Sequence, residues 1–465
     1  MSLSTIAAIS TPLGTGGIGI IKISGPRALS IADTLFRASQ TPRPDKKPPV
    51  FRSHHLYHGH VVDPATGDRV DEVLLAFMQA PHSYTREDII EIQAHSGIAT
   101  LSRILSLVLE NGARLAEPGE FTKRAFLNGR LTLDQAESVI DIIESKSDQA
   151  LRMAMTQMNG TMHKQIQSLR QHLLDYLALI ETAIDFIEDP DDTIIDSALP
   201  RRIQTDVEKE LRRLITQYQR AHLYREGIKM AIVGKPNVGK SSLLNCLIKK
   251  DRAIVTEIPG TTRDLIEESV TIQGIPILVI DTAGVRDGGD PIEQIGIKKT
   301  RACIAEADLV LFMTDASGPL DDNDHRIFDL VKGQNTIIVS NKTDRLSPSD
   351  GPCLPDRWAD FPVVAISVRR QTGLEKLESA VRQSMSVEDG RLGENPIVPN
   401  LRQHQLIQTA LQATHRLIEA LTADAPLEIA AVEAGDAINA LGQITGESID
   451  DTLVDRIFSR FCIGK

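Results

Sequence analysis

Gly234-Lys-Pro-Asn-Val-Gly239-Lys240-Ser241 places two glycines, a lysine and a hydroxyl at the G-x4-G-K-[ST] spacing. Glycines at those positions let successive backbone N–H groups wrap a phosphate, and the N-terminus of a following helix adds its dipole. The apolar run Met230–Val233 precedes the motif and the helical run Ser242–Ile248 follows it, which is the strand–loop–helix context such a loop requires. Lys240 is the residue that reaches the β- and γ-phosphates, and Ser241 the one that ligates Mg²⁺. Asn237, Val238 and Ser242 complete the phosphate-binding set.

Further motifs follow in order. Asp281-Thr282-Ala283-Gly284 ends the strand-like run Ile277–Ile280, with Asp281 placed to hold magnesium through water and the Gly284 N–H to meet the γ-phosphate. Asn341-Lys342-Thr-Asp344 follows Ile337–Val339. Its Asp344 can accept from N1–H and N2–H₂ of guanine, donors that adenine does not present, so the set selects GTP over ATP. Ser367-Val368-Arg369 would close over the base. Gly260-Thr261-Thr262-Arg-Asp264 is a candidate first switch, with Thr262 on Mg²⁺ and the γ-phosphate. Val285 stands where many GTPases carry a water-orienting Gln, and an aliphatic side chain cannot orient water. Asp287, Asp290 and Glu293 are the nearby alternatives. Asn237 and the backbone between Thr256 and Thr261 could hold a monovalent cation against the phosphates in place of an arginine finger.

The elements that must position these residues are legible as changes of texture. Residues 1–118 alternate short β-like runs (Ile18–Ile23, Val70–Met78, Ile89–Gln93) with helical ones, predicting an α+β domain on a mostly antiparallel sheet. Residues 119–222 are helical, with Ile166, Leu169, Leu173, Leu177, Ile180 and Ile184 on one helix face. Strands and helices alternate over 223–385, the pattern of a doubly wound parallel α/β domain. A linker and returning helices fill 386–465. Since neither helical stretch is obviously a complete bundle, the economical inference is one helical domain interrupted by an inserted α/β domain. With 51 Lys+Arg against 63 Asp+Glu, the 465-residue chain carries a net charge of −12, which excludes wrapping nucleic acid by bulk charge. Seventeen aromatics (11 Phe, 5 Tyr, 1 Trp) argue against base-stacking platforms. No apolar run is long enough to span a bilayer, the N-terminus does not read as a secretory signal, and the four unpaired cysteines suit the cytoplasm.

The chain resembles the MnmE (TrmE) family of tRNA-modification GTPases over nearly its whole length. The resemblance rests on TPLGTGGIGIIKISGP, SYTREDIIEIQAHSG, EPGEFTKRAFLNGRLTLDQAE, the GTPase motifs above and the terminal FCIGK. It implies an N-terminal folate-binding domain, a helical domain split by the G domain, homodimerisation, and GTP hydrolysis activated by potassium. Asn237, Thr256, Ile258 and Thr261 match the potassium-binding positions, and Glu293 the catalytic glutamate. Lys22, Glu91, Arg130 and Lys465 match folate-contact positions, with Lys22 where Arg is usual and Arg130 where Lys is usual. Thr15 and Ser96 depart from the common pattern as well. A tetrahydrofolate derivative, 5-formyl or 5,10-methylene, would supply a one-carbon unit. The product would be an aminomethyl or carboxymethylaminomethyl group at C5 of the tRNA wobble uridine, made with an FAD-dependent partner of the MnmG type.

Blander interpretations compete. The same G domain would suit a ribosome-assembly GTPase switch, although no KH-type module follows it, and a folate-binding scaffold with a vestigial GTPase is a third possibility. Cys462 is either a small buried hydrophobe or a functional thiol. The run GTGGIG at 14–19 precedes a strand instead of opening a helix, so it is no dinucleotide fingerprint. His54, His55, His58 and His60 are expected in a loop and without a metal.

Overall fold

The computed structural model describes residues 4–14, 16–39, 51–145, 147–185, 195–251, 267–272, 275–281, 301–347, 354–385, 396–448 and 450–465. The chain divides into two compact units, one of residues 1–140, 157–212 and 401–465, the other of 141–156 and 213–400.

A seven-stranded sheet organises the N-terminal part of the first unit. Its strands are β1 (Ile6–Ile9), β2 (Ile18–Ser24), β3 (Phe36–Ala38), β4 (His55–Val62), β5 (Arg69–Met78), β6 (Ile89–His95) and β7 (Arg114–Leu115), ordered β3-β4-β5-β6-β2-β1-β7. Every pairing is antiparallel except β1 with β7. Period-2 alternation turns Ile21, Ile23, Val73, Leu75, Ile90 and Ile92 to one face. There α1 (Ala28–Leu35) and α2 (Ile98–Glu110) bury Ile31, Leu35, Leu101, Ile104 and Val108 against them. On the other face Ile6 and Ala8 pack on Phe121 of α3 (Glu120–Leu127), leaving Lys22 and Glu91 side by side in register. The histidines expected in a loop lie largely in a strand: β4 takes up His55, His58 and His60, and His58 pairs with Glu72 across the ladder at 2.6 Å.

The helices that follow are α4 (Leu133–Glu144), α5 (Asp148–Met158), α6 (Thr161–Asp185), α7 (Leu199–Ile203) and α8 (Lys209–Glu226), with a π-helical turn at Gln204–Glu208 between the last two. The apolar stripe of α6 is buried at Ile166, Leu169, Leu173 and Ile180. The interruption expected at 188–192 lies outside the described residues.

In the second unit a six-stranded sheet runs β13-β12-β11-β8-β10-β9, from β8 (Ile228–Gly234), β9 (Glu267–Ile272), β10 (Ile275–Asp281), β11 (Leu309–Asp315), β12 (Thr336–Asn341) and β13 (Val363–Ala365). All neighbours are parallel except β9, an antiparallel edge strand. The central strands are near-continuous apolar runs because helices cover both faces: Leu309 to Met313 are all fully buried. Those helices include α9 (Lys240–Asp251), α10 (Asp322–Val331) and α11 (Leu374–Ser384).

The chain returns to the first unit in α12 (Leu401–Thr422), α13 (Leu427–Thr445) and α14 (Asp451–Phe458). On α12 Leu401 is 54% exposed, whereas Gln403, Ile407, Ala410 and Leu417 are buried. Helix α13 packs against α12 and buries Ala430, Ala434, Ala437 and Leu441.

Candidate functional site

The phosphate loop begins where β8 ends, at the carboxyl edge of the parallel sheet, where ligands of doubly wound folds bind. Asn237 sits at φ 64, in the left-handed region that Asn tolerates better than most side chains. Gly239 is at φ 107, and a Cβ there would stand 2.4 Å from the Nδ2 of Asn341. That contact is built in, because Asn341 Nδ2 donates to the Val238 carbonyl at 2.8 Å. The Asn341 Oδ1 in turn accepts from the Val368 N–H at 3.2 Å. One side chain thus ties the phosphate loop to the loop expected to cover the base. Lys240 Nζ donates to the carbonyls of Gly234 and Lys235, each at 2.8 Å, so the phosphate-reaching ammonium already lies across the mouth of the loop.

The base-recognition side is equally organised. Ser367 donates to Asp344 Oδ1 at 2.6 Å, and that bond holds the Asp344 carboxyl below the usual carboxylate range. Asp344 is therefore an ionised acceptor, as pairing to two guanine donors requires. Thr343 anchors this turn to the Ile366 carbonyl through its N–H (3.2 Å) and hydroxyl (2.9 Å). Lys342, at φ 66, pairs with Asp315 at the end of β11. Burial pushes the Asp315 carboxyl up, but bonds from Lys342 and Ser317 outweigh it and hold the group below its ordinary value. The Asp315 partnership has no motif of its own and was not expected from the sequence.

Ser241 and Ser242 lie exposed on the first turn of α9, and Asp281 is the last residue of β10, in register with Ile232 of β8. Thr256, Ile258, Thr261, Thr262, Thr282, Ala283, Gly284 and Glu293 lie outside the described residues, as does Thr15. Arg369 is exposed beside the partly buried Val368.

A second constellation forms in the first unit. Lys22 Nζ is 3.8 Å from Glu91 Oε1, 5.7 Å from the Tyr84 ring centre and 5.5 Å from that of Phe121. Arg130 lies over the same Tyr84 ring at 4.8 Å and donates to the Tyr84 carbonyl at 3.0 Å. The C-terminal tail completes it. Ser10 Oγ donates to the Gly464 carbonyl at 3.1 Å, and the Phe121 N–H to the Lys465 carbonyl at 3.2 Å. Gly464, at φ 91, leaves no room for a side chain, since a Cβ would meet the Ile9 carbonyl at 2.6 Å. Burial lowers the Lys22 pKa, Glu91 opposes that, and the Lys465 charge adds to the lowering. Lys22 beside Glu91 and two rings, Arg130 over one of those rings and the nearby Lys465 charge suit an anionic, aromatic ligand. Tyr84 and Phe121 were not among the expected contacts, although Tyr84 stands inside the SYTRED segment that carried the resemblance. Cys462 is exposed, which overturns the buried-hydrophobe alternative, and its carbonyl accepts from the Lys465 N–H at 3.3 Å.

Among the described residues no group of His, Cys, Asp and Glu is placed to hold a metal by itself, and no helix is long and apolar enough to cross a membrane.

Comparison with known proteins matches two family models: the TrmE N-terminus over residues 5–130 and the MnmE helical domain over residues 133–462. The tRNA modification GTPase MnmE of Carboxydothermus hydrogenoformans is 42% identical over 471 residues, covering 100% of both chains. That of Bacillus pumilus is 41% identical over 463 residues, again covering 100% of both, and that of Alkaliphilus metalliredigens 42% over 462 residues, covering 99% of both. With full-length similarity at this level, and with a phosphate loop and a guanine-recognition turn already assembled in the fold, the chain belongs to the MnmE family of tRNA modification GTPases.

Proposed function

We propose that this GTPase couples potassium-activated GTP hydrolysis to modification of C5 of the tRNA wobble uridine, using a tetrahydrofolate one-carbon unit and an FAD-dependent MnmG-type partner. The observation that supports it best is the pairing, in one chain, of a preformed guanine-nucleotide loop with the Lys22–Glu91–Arg130–Lys465 cluster around Tyr84 and Phe121. In this proposal Lys22, Arg130 and Lys465 hold the carboxylates of the folate, and Glu91 accepts from its ring N–H donors. Gly234, Asn237, Val238, Gly239, Lys240, Ser241 and Ser242 hold the phosphates, with Thr256, Thr261 and Thr262 from the first switch and Asp281 to Gly284 from the second. Asn341, Lys342, Asp344, Ser367, Val368 and Arg369 hold the base. Ser241 and Thr262 would ligate Mg²⁺, which supplies charge neutralisation on the phosphates. Asn237, Thr256, Ile258 and Thr261 would hold K⁺. Glu293 orients the attacking water in place of the Gln that Val285 displaces, and the exposed Cys462 is available as a functional thiol. The chain works in the cytoplasm as a homodimer. Its domain limits are 1–118, 119–222, 223–385 and 386–465.

The test is Glu293→Ala in cells whose only copy is the variant. The expected outcome is GTP affinity within about threefold of the parent, hydrolysis down by about a hundredfold or more, and loss of wobble-uridine modification by nucleoside mass spectrometry. Full modification by the variant would remove the coupling. Unchanged turnover would remove the role of Glu293.

A further inference from the structure

Lys235, the second residue of the phosphate loop, sends its side chain to the start of α10. Its Nζ lies 2.8 Å from Asp321 Oδ2 and 2.7 Å from Asp324 Oδ2. These two carboxylates are the two ends of the capping box that starts α10. Asp321 Oδ1 accepts from the Asn323 and Asp324 N–H groups at 2.9 and 3.2 Å, and Asp324 Oδ2 accepts from the Asp321 N–H at 3.0 Å. Asp324 is 1% exposed, so the lysine compensates a carboxylate that water does not reach. The Lys235 backbone meanwhile presents the carbonyl on which Lys240 Nζ rests at 2.8 Å.

We infer that Lys235 is a positioning residue for nucleotide binding: clasped by the α10 capping box, it holds the first half of the phosphate loop open and shaped before the nucleotide arrives. The loop is otherwise a run of backbone with a left-handed Asn237 and two glycines, and ordering it on binding would cost conformational entropy. A clasp fixed in advance removes that cost for GDP and GTP alike, because it touches neither the γ-phosphate nor the attacking water. Helix α10 continues from the box into Phe328, which stacks on the buried Trp358 at 4.6 Å between ring centres. The clasp is therefore fixed to the aromatic core behind the sheet and not to a loose surface helix.

The inference rests on the guanine-nucleotide reading of this loop, which GDP and GTP binding by the parent chain tests separately. The experiment uses the full-length protein and fluorescently labelled GDP and GTP, measuring Kd and release rate for Lys235→Met, Lys235→Arg, Asp324→Asn and the double variant Lys235→Met/Asp324→Asn. Lys235→Met leaves the capping box intact, so it decides the matter even if Asp324→Asn fails to fold. Its expected effect is about a tenfold rise in Kd for both nucleotides, carried mainly by faster release, with kcat at saturating GTP within about twofold of the parent. Lys235→Arg restores affinity to within about threefold, and the folded double variant is no worse than Lys235→Met alone. Nucleotide affinity unchanged in Lys235→Met would overturn the inference. So would a loss confined to GTP, or single effects that multiply in the double variant.

Discussion

Gly239 and Asn341 show how closely single residues are fitted to one another at this site. A Cβ at Gly239 would collide with the Asn341 amide, and the amide is where it is because it bridges Val238 and Val368. The glycine of one motif is therefore required by the asparagine of another, about a hundred residues away in sequence. Elsewhere a residue is tuned by burial. Tyr176 on α6 donates to Asp206, and burial together with that carboxylate pushes the phenol up to about 12 from 10.0. A raised folded-state pKa contributes stability in full below the unfolded value of 10.0 and loses it as pH climbs through about 12. Ultraviolet titration should therefore show a late phenolate step near 12, and Asp206→Asn should move it toward 10. A titration unchanged by that substitution would show that Asp206 does not govern Tyr176. The residue types at the nucleotide site were legible because phosphate and guanine recognition demands them at fixed spacing. Tyr84, Phe121 and Asp315 were not, since an aromatic or an acid at a strand end has many ordinary uses.

At the scale of elements, the Asp321-Asp322-Asn323-Asp324 run carries a capping-box pattern that the sequence displays, but nothing in it says that Lys235 will share the box. Helix α12 makes the same point. Arg402 donates to both oxygens of Glu137 on α4, at 2.6 and 2.8 Å, and to the Gln443 carbonyl at 2.9 Å; Gln403 donates to Glu137 at 2.8 Å and accepts from Gln157 at 3.1 Å. Gln157 and Arg402 stand at or beside the points where the chain re-enters the first unit, at 157 and 401. This polar knot joins α4, α5, α12 and α13 through residues far apart along the chain, a pairing that no local spacing displays. Removing one partner leaves a buried charge uncompensated, which costs about 3–5 kcal/mol. Arg402→Met is therefore expected to lower the midpoint of the helical unfolding transition followed by circular dichroism, and Arg402→Met/Glu137→Leu to recover much of it. A double variant as unstable as the sum of both singles would contradict that account.

The whole molecule is acidic, with a net charge of −12, yet Lys22 and Arg130 both lie over the Tyr84 ring and the Lys465 charge acts on Lys22. If potassium replaces an arginine finger, hydrolysis in KCl is expected to exceed that in NaCl at equal ionic strength by about tenfold or more, and Asn237→Ala is expected to abolish the difference. Equal rates in the two salts would exclude a cation in that role. By itself the sequence determined the family, the order of the GTP-binding motifs and the interruption of a helical domain by an α/β one, because glycine-rich phosphate loops and hydrophobic periodicity are local properties. Tertiary structure decided how the C-terminal Gly464-Lys465 docks, beside β1 and the start of α3, and it alone decided that Lys235 is clasped by α10. Those pairings join residues that are remote along the chain. They depend on where packing brings two elements together, a property that no local spacing encodes.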